Sequence, residues 1–454
     1  MKKLAISAIL VLLCLIATHV LAQDSTVYKL RLQVPVIDMP QNKDIVRSYP
    51  SMNQALELSN SFYDLGFYGL SKVGNAIVKP VKWQSRFSRR NVSNQALNYA
   101  LGLGFAKYGS ELPIPLGIWA HEEFHRSVLG VNGVSSKNGN WIGSRWDGTV
   151  YGVTDEALAS LKTNNVSGLL HSYVAGAHAQ NLTTLTNVQQ DFFYRRSAYK
   201  NALYLYSAHY VYNYLKFSTS EVSDRVKDGA PNFEDPTAEQ RDYAGSDFTA
   251  WAYDMFNPDK PYTDRDKFPG GEGVNRRVGF SDLSPEAQDF LLEQKKLSLI
   301  NFINPAIFFI NRINLGSHFS FNFMGQYYPT HFGNDVALVV PIQLYYGKYV
   351  VGFHRYSNRN MTLPGVELGL IDGALTNRWL VSVHLKGWMQ PKDQSYFATE
   401  STAGGSLDLT TKYRISRSVL LNGAVTAKTA GWAAGNPYLD QNFSFRAGLS
   451  VNVF

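Results

Sequence analysis

Cysteine is almost missing from this chain. Among 454 residues there is one, Cys14, so disulfides, Cys-zinc sites and cysteine nucleophiles are excluded for everything after it. Long apolar runs are also scarce. Beyond the first 22 residues no stretch of about 18 apolar residues lacks charged or polar groups. With a mean hydropathy of −0.19 this excludes a bundle of transmembrane helices. Charge is thin too. Asp, Glu, Lys and Arg make up 17% of the chain and aromatics 13%, which excludes a disordered polypeptide. The net charge of +7 has no focus, and Arg86, Arg89 and Arg90 form its tightest cluster. No nucleic-acid partner is expected.

The first residues carry an address. Lys2-Lys3 precede the apolar stretch 4–17, and Val20-Leu21-Ala22 ends on a small residue before Gln23. This is the three-part pattern of a secretory signal peptide over residues 1–22, with an uncleaved anchor as the alternative. Cys14 lies too far from the expected cleavage point to become a lipid-modified first residue. Export from a bacterial cytoplasm follows, and residues 23–44 read as an N-terminal strand and linker, with the strand over 27–37.

The remainder falls into two halves of different periodicity. Residues 45–300 read as a mainly helical domain. Apolar residues recur every three or four positions over 54–65, 95–107, 115–129, 155–161, 166–185, 191–215, 237–256 and 285–296. Gly130 and Pro258 mark two of the ends, and 137–152 and 257–277 read as polar loops. After Gly316 the period becomes two. Phe319, Phe321 and Phe323 share one face. Leu407, Leu409, Thr411 and Tyr413 alternate with Ser406, Asp408, Thr410 and Lys412. About eight strands of roughly ten residues fill 316–454, close to the length that crosses a bilayer. The expected fold is α+β and multidomain: a helical domain followed by an antiparallel β-barrel. Alternating strands that end on Phe454 resemble outer-membrane barrels, although Val451 and Val453 hold the face opposite that final aromatic. The resemblance implies outer-membrane lipid as a partner and a periplasmic helical domain. A soluble β-sandwich has equally alternating strands and is the alternative.

The chemistry concentrates at His121-Glu122-Glu123-Phe124-His125, set among Leu116, Ile118, Trp119, Val128 and Leu129. Residues four apart share a helical face, so both imidazoles can reach one metal ion while Glu122 projects beside them. Neutral imidazole binds zinc, and a carboxylate can take a proton from attacking water. The stretch resembles the HExxH zinc metallopeptidases, the zincins. That resemblance implies Zn2+ as cofactor, His121 and His125 as ligands and Glu122 as general base. The segment from His121 to Gly130 also resembles, weakly, the first zinc motif of site-2-type membrane peptidases. Two histidines without a metal remain the plain alternative.

A catalytic zinc commonly takes a third protein ligand. Val131 stands where metzincins carry a histidine, so that group is excluded, and no Glu-x-x-x-Asp follows His125 closely. The acidic candidate is Asp247, in Gly245-Ser246-Asp247-Phe248, which loosely resembles the ligand segment of aspzincins. Asp254 lies two turns further on. Asp247 as a helix N-terminal carboxylate is an equal reading. His171 and His178, seven apart beside Gly176 and followed by Gln180 and Asn181, are the rival ligands, and His209 is weaker. Gly117 and Gly176 would admit close neighbours. Gly270-Gly271-Glu272-Gly273 and Gly404-Gly405 read as turns, and Trp141 and Trp146 as loop anchors or substrate contacts.

The expected function is an exported zinc metallopeptidase of the outer membrane, acting on envelope polypeptides. The alternatives are a non-enzymatic docking or structural protein, and a zinc hydrolase of a non-peptide envelope substrate.

Overall fold

The computed structural model describes residues 28–44, 49–81, 85, 87–139, 146–194 and 200–454. The expected signal peptide, Arg86 and Trp141 lie outside them. The fold is α+β. Strand β1 (Leu30–Met39) opens it. Among the described residues ten α-helices follow: α1 (Gln41–Asp44), α2 (Met52–Ile77), α3 (Arg89–Gly104), α4 (Gly117–Val131), α5 (Asp155–Asn164), α6 (Val166–Tyr194), α7 (Asn201–Ser218), α8 (Glu221–Gly229), α9 (Asp247–Phe256) and α10 (Pro285–Leu297). A small ribbon of β2 (Lys137–Asn138) and β3 (Val150–Tyr151) separates α4 from α5. Ten further strands close the chain: β4 (Ile313–Asn314), β5 (Phe319–Phe321), β6 (Met324–Thr330), β7 (Gly333–Leu344), β8 (Gly347–Ser357), β9 (Thr362–Ala374), β10 (Trp379–Pro391), β11 (Ser401–Arg414), β12 (Val419–Lys428) and β13 (Asn442–Val453).

Local chemistry sets the element ends. Ser51 accepts a hydrogen bond from Gln54 N while the Gln54 side chain accepts from Ser51 N, a reciprocal cap that starts α2. Two helical expectations are corrected. The stretch 191–215 is not one helix: α6 ends at Tyr194 and α7 begins at Asn201. The stretch 237–256 is not one helix: a single 3-10 turn (Ala238–Gln240) comes first, and the α-helix begins only at Asp247, after Gly245 at φ +69, outside the helical region. Helix α8 had no apolar period to announce it, since Val222 and Val226 are its only aliphatic residues. Gly404 and Gly405 are not a turn but part of β11, where a Cβ on Gly404 would stand 2.4 Å from Trp388 Nε1.

The sheet corrects the largest expectation. Among the described residues it has eleven antiparallel strands in the order β1-β13-β12-β11-β10-β9-β8-β7-β5-β4, with β6 also on β7, and it does not close into a barrel. The first strand of the chain pairs with the last, from Leu30↔Val453 to Met39↔Phe445. Two of its edges, β1 and β6, are capped by helical segments instead of by each other. On the β1 edge, Ser61 of α2 accepts from Gln33 N at 2.7 Å and donates to Gln33 O at 3.2 Å, and Asp64 accepts from Arg31 N. On the β6 edge, Asn301 accepts from Tyr327 N at 2.8 Å while Asn181 of α6 donates to Tyr327 O at 2.5 Å. These side chains do for the edge backbone what a neighbouring strand would do.

The polarity of the sheet is reversed relative to a soluble one. Phe353, Val366, Leu368, Leu421, Phe443 and Phe445 are exposed on its outer face, while Glu367, Ser406, Lys428, Ser444, Ser450 and Asn452 are buried on the inner one. Helix α2 repeats the inversion where it runs along β1: Ser59, Asn60, Ser61 and Asp64 are buried, and Phe62 and Leu65 are exposed. No helix among the described residues is long and apolar enough to cross a membrane. Helix α6 lies within the curve of the sheet. Its last turns face β1 and β9–β13 across a polar cavity of about 400 Å3. Phe192 joins α2, α7, β7 and β8 in one apolar cluster.

Candidate metal centre

Helix α4 presents His121 and His125 on one face, and α6 crosses that face at Gly176. A Cβ on Gly176 would stand 2.3 Å from the Nε2 atoms of both histidines, so only glycine fits there. The third element is the start of α9. Asp247 Oδ2 lies 3.1 Å from His121 Nε2 and 3.3 Å from His125 Nε2. Gly245 makes the turn that brings it in, and Tyr214 OH accepts a hydrogen bond from Asp247 N at 3.0 Å. Three donor atoms within 4.8 Å of one another result, and among the described residues no other group of three His, Cys, Asp or Glu meets that limit.

The outer nitrogens settle the tautomers. His125 Nδ1 faces Ser172 O at 2.6 Å, and His121 Nδ1 faces Gln180 Oε1 at 3.2 Å. Both partners are acceptors, so both Nδ1 atoms carry the proton and both Nε2 lone pairs point inward. With both rings neutral, two lone pairs and a carboxylate converge on one point. Among the described residues His125 Nε2, fully buried, makes no well-aligned hydrogen bond, and Asp247 Oδ2 at 3.3 Å is its neighbour. Such a donor set fits a cation. Its 3.1–3.3 Å spacing is near the ~3.3 Å expected between ligands of a tetrahedral ion with 2.0–2.1 Å bonds. Tyr243 OH also donates to Ser172 O, at 2.9 Å, tightening the support behind His125.

Electrostatics follow from burial and from Asp247. Burial lowers His121, with His125 adding to the effect. Burial works against His125 as well, but the Asp247 charge and the Ser172 carbonyl outweigh it and hold its pKa above the usual value. Asp247 would be raised by burial, yet the two histidines hold it below the usual carboxylate range. Glu122 is different. It has no hydrogen-bond partner among the described residues, and burial, reinforced by Asp247 and Asp242, raises it well above the ordinary value. Asp242 is itself pushed up to about 6, chiefly by burial. Glu123 is a structural residue: it pairs with Arg126 and accepts from Asn138 Nδ2 at 3.0 Å, tying the β2–β3 ribbon to α4.

The structure brings His121, Glu122, His125 and Asp247 together and sends the rival ligands elsewhere. His178 Nε2 donates to Pro329 O at 2.6 Å on the β6 edge, and the His171 ring stacks toward His178 and His331, with centroids 5.9 and 5.8 Å away. Asp254 is held by Lys162, Arg265 and Tyr173 at 2.8–3.0 Å. His209 is exposed on α7. Trp146 donates to Glu111 O, which is an anchoring contact. Close neighbours do meet both glycines, since a Cβ on Gly117 would stand 2.8 Å from Tyr63 OH. Sequence reasoning did not find Asp242, Tyr243 or the Ser172 carbonyl, which carry no motif; Gln180 was noticed, but its place behind His121 was not.

Comparison with known protein families, with curated proteins and with solved structures finds no match.

Proposed function

We propose that this chain is an exported, zinc-dependent peptidase held in an outer membrane by its sheet. The convergence of His121 Nε2, His125 Nε2 and Asp247 Oδ2 on one buried point carries the reading. Neutral imidazoles and one carboxylate are the donors zinc takes, and three of them leave a position for water. When bound, zinc polarises a carbonyl and lowers the pKa of water. The chain does the rest. Gln180 and the Ser172 carbonyl fix the histidine tautomers, which keeps the ligand lone pairs aimed inward. Glu122, unpartnered beside the ligands, takes the proton of the attacking water and returns it to the leaving amine. Peptide bonds are preferred over esters or other amides on the likeness of the His121–His125 segment to the zincins.

The reversed polarity of the sheet supports the membrane part. Apolar side chains outward and polar ones inward suit lipid outside and a wet interior. The exposed Phe62 and Leu65 of α2 carry the apolar face past β1, while Ser59, Asn60, Ser61 and Asp64 of the same helix are buried.

Elemental analysis of purified protein tests the centre. About one zinc per chain is expected, lost in His121→Ala and in Asp247→Ala. Glu122→Gln should keep the metal and the fold while peptide hydrolysis drops by roughly 10²–10⁴-fold. Wild-type protein that takes up no zinc when metal is offered would sink the proposal. So would a Glu122→Gln variant as active as wild type.

A further inference from the structure

The two ends of the sheet differ. At one end lie Leu30 of β1, Val453 of β13 and the turns 315–318, 345–346, 375–378 and 415–418, none longer than four residues. At the other end Met39 leads into the helices, and the connections 331–332, 358–361, 392–400 and 429–441 run to as many as thirteen residues.

The candidate metal centre belongs to the second end. Trp251, one turn along α9 from Asp247, donates Nε1 to Thr330 O at 3.1 Å, beside the connection 331–332. The His171 ring, one turn from Gly176 on α6, lies 5.8 Å from His331 in that connection. Phe256, at the end of α9, lies 5.1 Å from Tyr396 in the loop 392–400. Helix α6 runs from there to the opposite end, where the Lys348 ammonium sits 4.4 Å over the Tyr194 ring. The centre is thus fixed to the end that carries the long loops, by contacts from two different helices.

Outer-membrane β-barrels keep short turns on the periplasmic side and longer loops outside, and this open sheet has the same asymmetry between its ends. We infer that the metal centre faces the exterior, so that its substrates are polypeptides met outside the cell. This inference rests on the proposed embedding of the sheet in an outer membrane. It reverses the sequence expectation of a periplasmic helical domain, because that expectation took no account of which end of the sheet the helices occupy.

No cysteine follows Cys14, so single cysteines report cleanly. Thr399→Cys in the loop 392–400, Glu156→Cys on α5 and Asn377→Cys in the turn 375–378 all sit at exposed positions. A membrane-impermeant maleimide is applied to intact cells and to cells with a permeabilised outer membrane. Thr399→Cys and Glu156→Cys should label in intact cells, and Asn377→Cys only after permeabilisation. The reverse pattern overturns the inference while leaving the membrane embedding in place. Equal labelling of all three positions, or recovery of the full chain in the soluble fraction, overturns both. An epitope inserted in 429–441, read by antibody on intact cells, gives the same test should a cysteine variant fail to fold. Antibody that binds only after permeabilisation counts against the inference.

Discussion

Gly176 is the residue on which the candidate centre turns. It has no side chain because two imidazole nitrogens occupy the space a Cβ would take. Gly176→Ala should therefore abolish zinc uptake while helical content, read by circular dichroism, stays near wild type, since alanine favours helices more than glycine does. Gln180→Ala acts one step further out, removing the acceptor that holds the His121 proton, and should weaken zinc about 10–100-fold in a chelator competition. The other histidines of α6 give a pH effect. Burial lowers His178 to about 4 and holds His171 well below the usual range. Unfolded, both return to about 6.5. Between those values the unfolded chain binds protons that the folded chain refuses, so stability falls as pH falls from about 6.5 toward 4. One pKa unit corresponds to about 1.4 kcal/mol, which gives His178 a share of a few kcal/mol. His178→Gln can still donate to Pro329 O and should flatten the decline in chemical-denaturation midpoints over that range. A decline as steep as wild type would assign the acid sensitivity to other groups.

Elements were legible where one local pattern decided them. The HExxH spacing placed His121 and His125 on one face of α4, and the period of two located β7 to β13 within a few residues. Closure was not legible. The β1 edge depends on Ser61 and Asp64, and the β6 edge on Asn181 and Asn301, the latter pair 120 residues apart in the chain and 3.2 Å apart in space. Nothing in a strand's own sequence says that a helix will serve as its neighbour, so alternation alone led to a closed barrel. Asp247 was partly legible as an acidic residue at a helix start, but only the turn at Gly245 places it against α4. The edge caps have a measurable worth. Asn181→Ala would leave Tyr327 O buried without its donor, at a cost of about 1–3 kcal/mol. Ser61→Ala, on an edge where Gln33 N keeps no other partner among the described residues, should cost a similar amount. Denaturation midpoints unchanged in both variants would show that water replaces these caps without loss.

For the whole molecule, the reversed polarity of the sheet and of α2 is a constraint on surroundings. A soluble domain exposes apolar side chains singly, and contiguous patches beyond a few hundred Å2 mark a contact surface. Here the exposed set runs from Phe353 on β8 through Val366 and Leu368 on β9 to Leu421 on β12 and Phe443 and Phe445 on β13, then past β1 to Phe62 and Leu65 of α2. A single protein partner meets one side of a molecule, whereas this surface follows the sheet around. Under the proposed embedding, lipid is the surrounding that would meet every part of it. The two faces of β12 should then respond oppositely to charge. Leu421 pairs with Leu449 on the outer face, and Leu421→Arg should cost about 2–4 kcal/mol of folding free energy in vesicles if it lies near the bilayer midplane. Its chain neighbour Asn422 lines an inner cavity of about 110 Å3 with Lys412 and Arg446. Asn422→Asp puts a carboxylate into a polar cavity where Lys412 and Arg446 offset it and the carboxyl groups of Asp38 and Glu57, and it should fold into the same vesicles far better than Leu421→Arg. Folding yields that rank the two variants the other way would mean that water, not lipid, covers the outer face, and that the sheet belongs to a different solvent from the one its polarity describes.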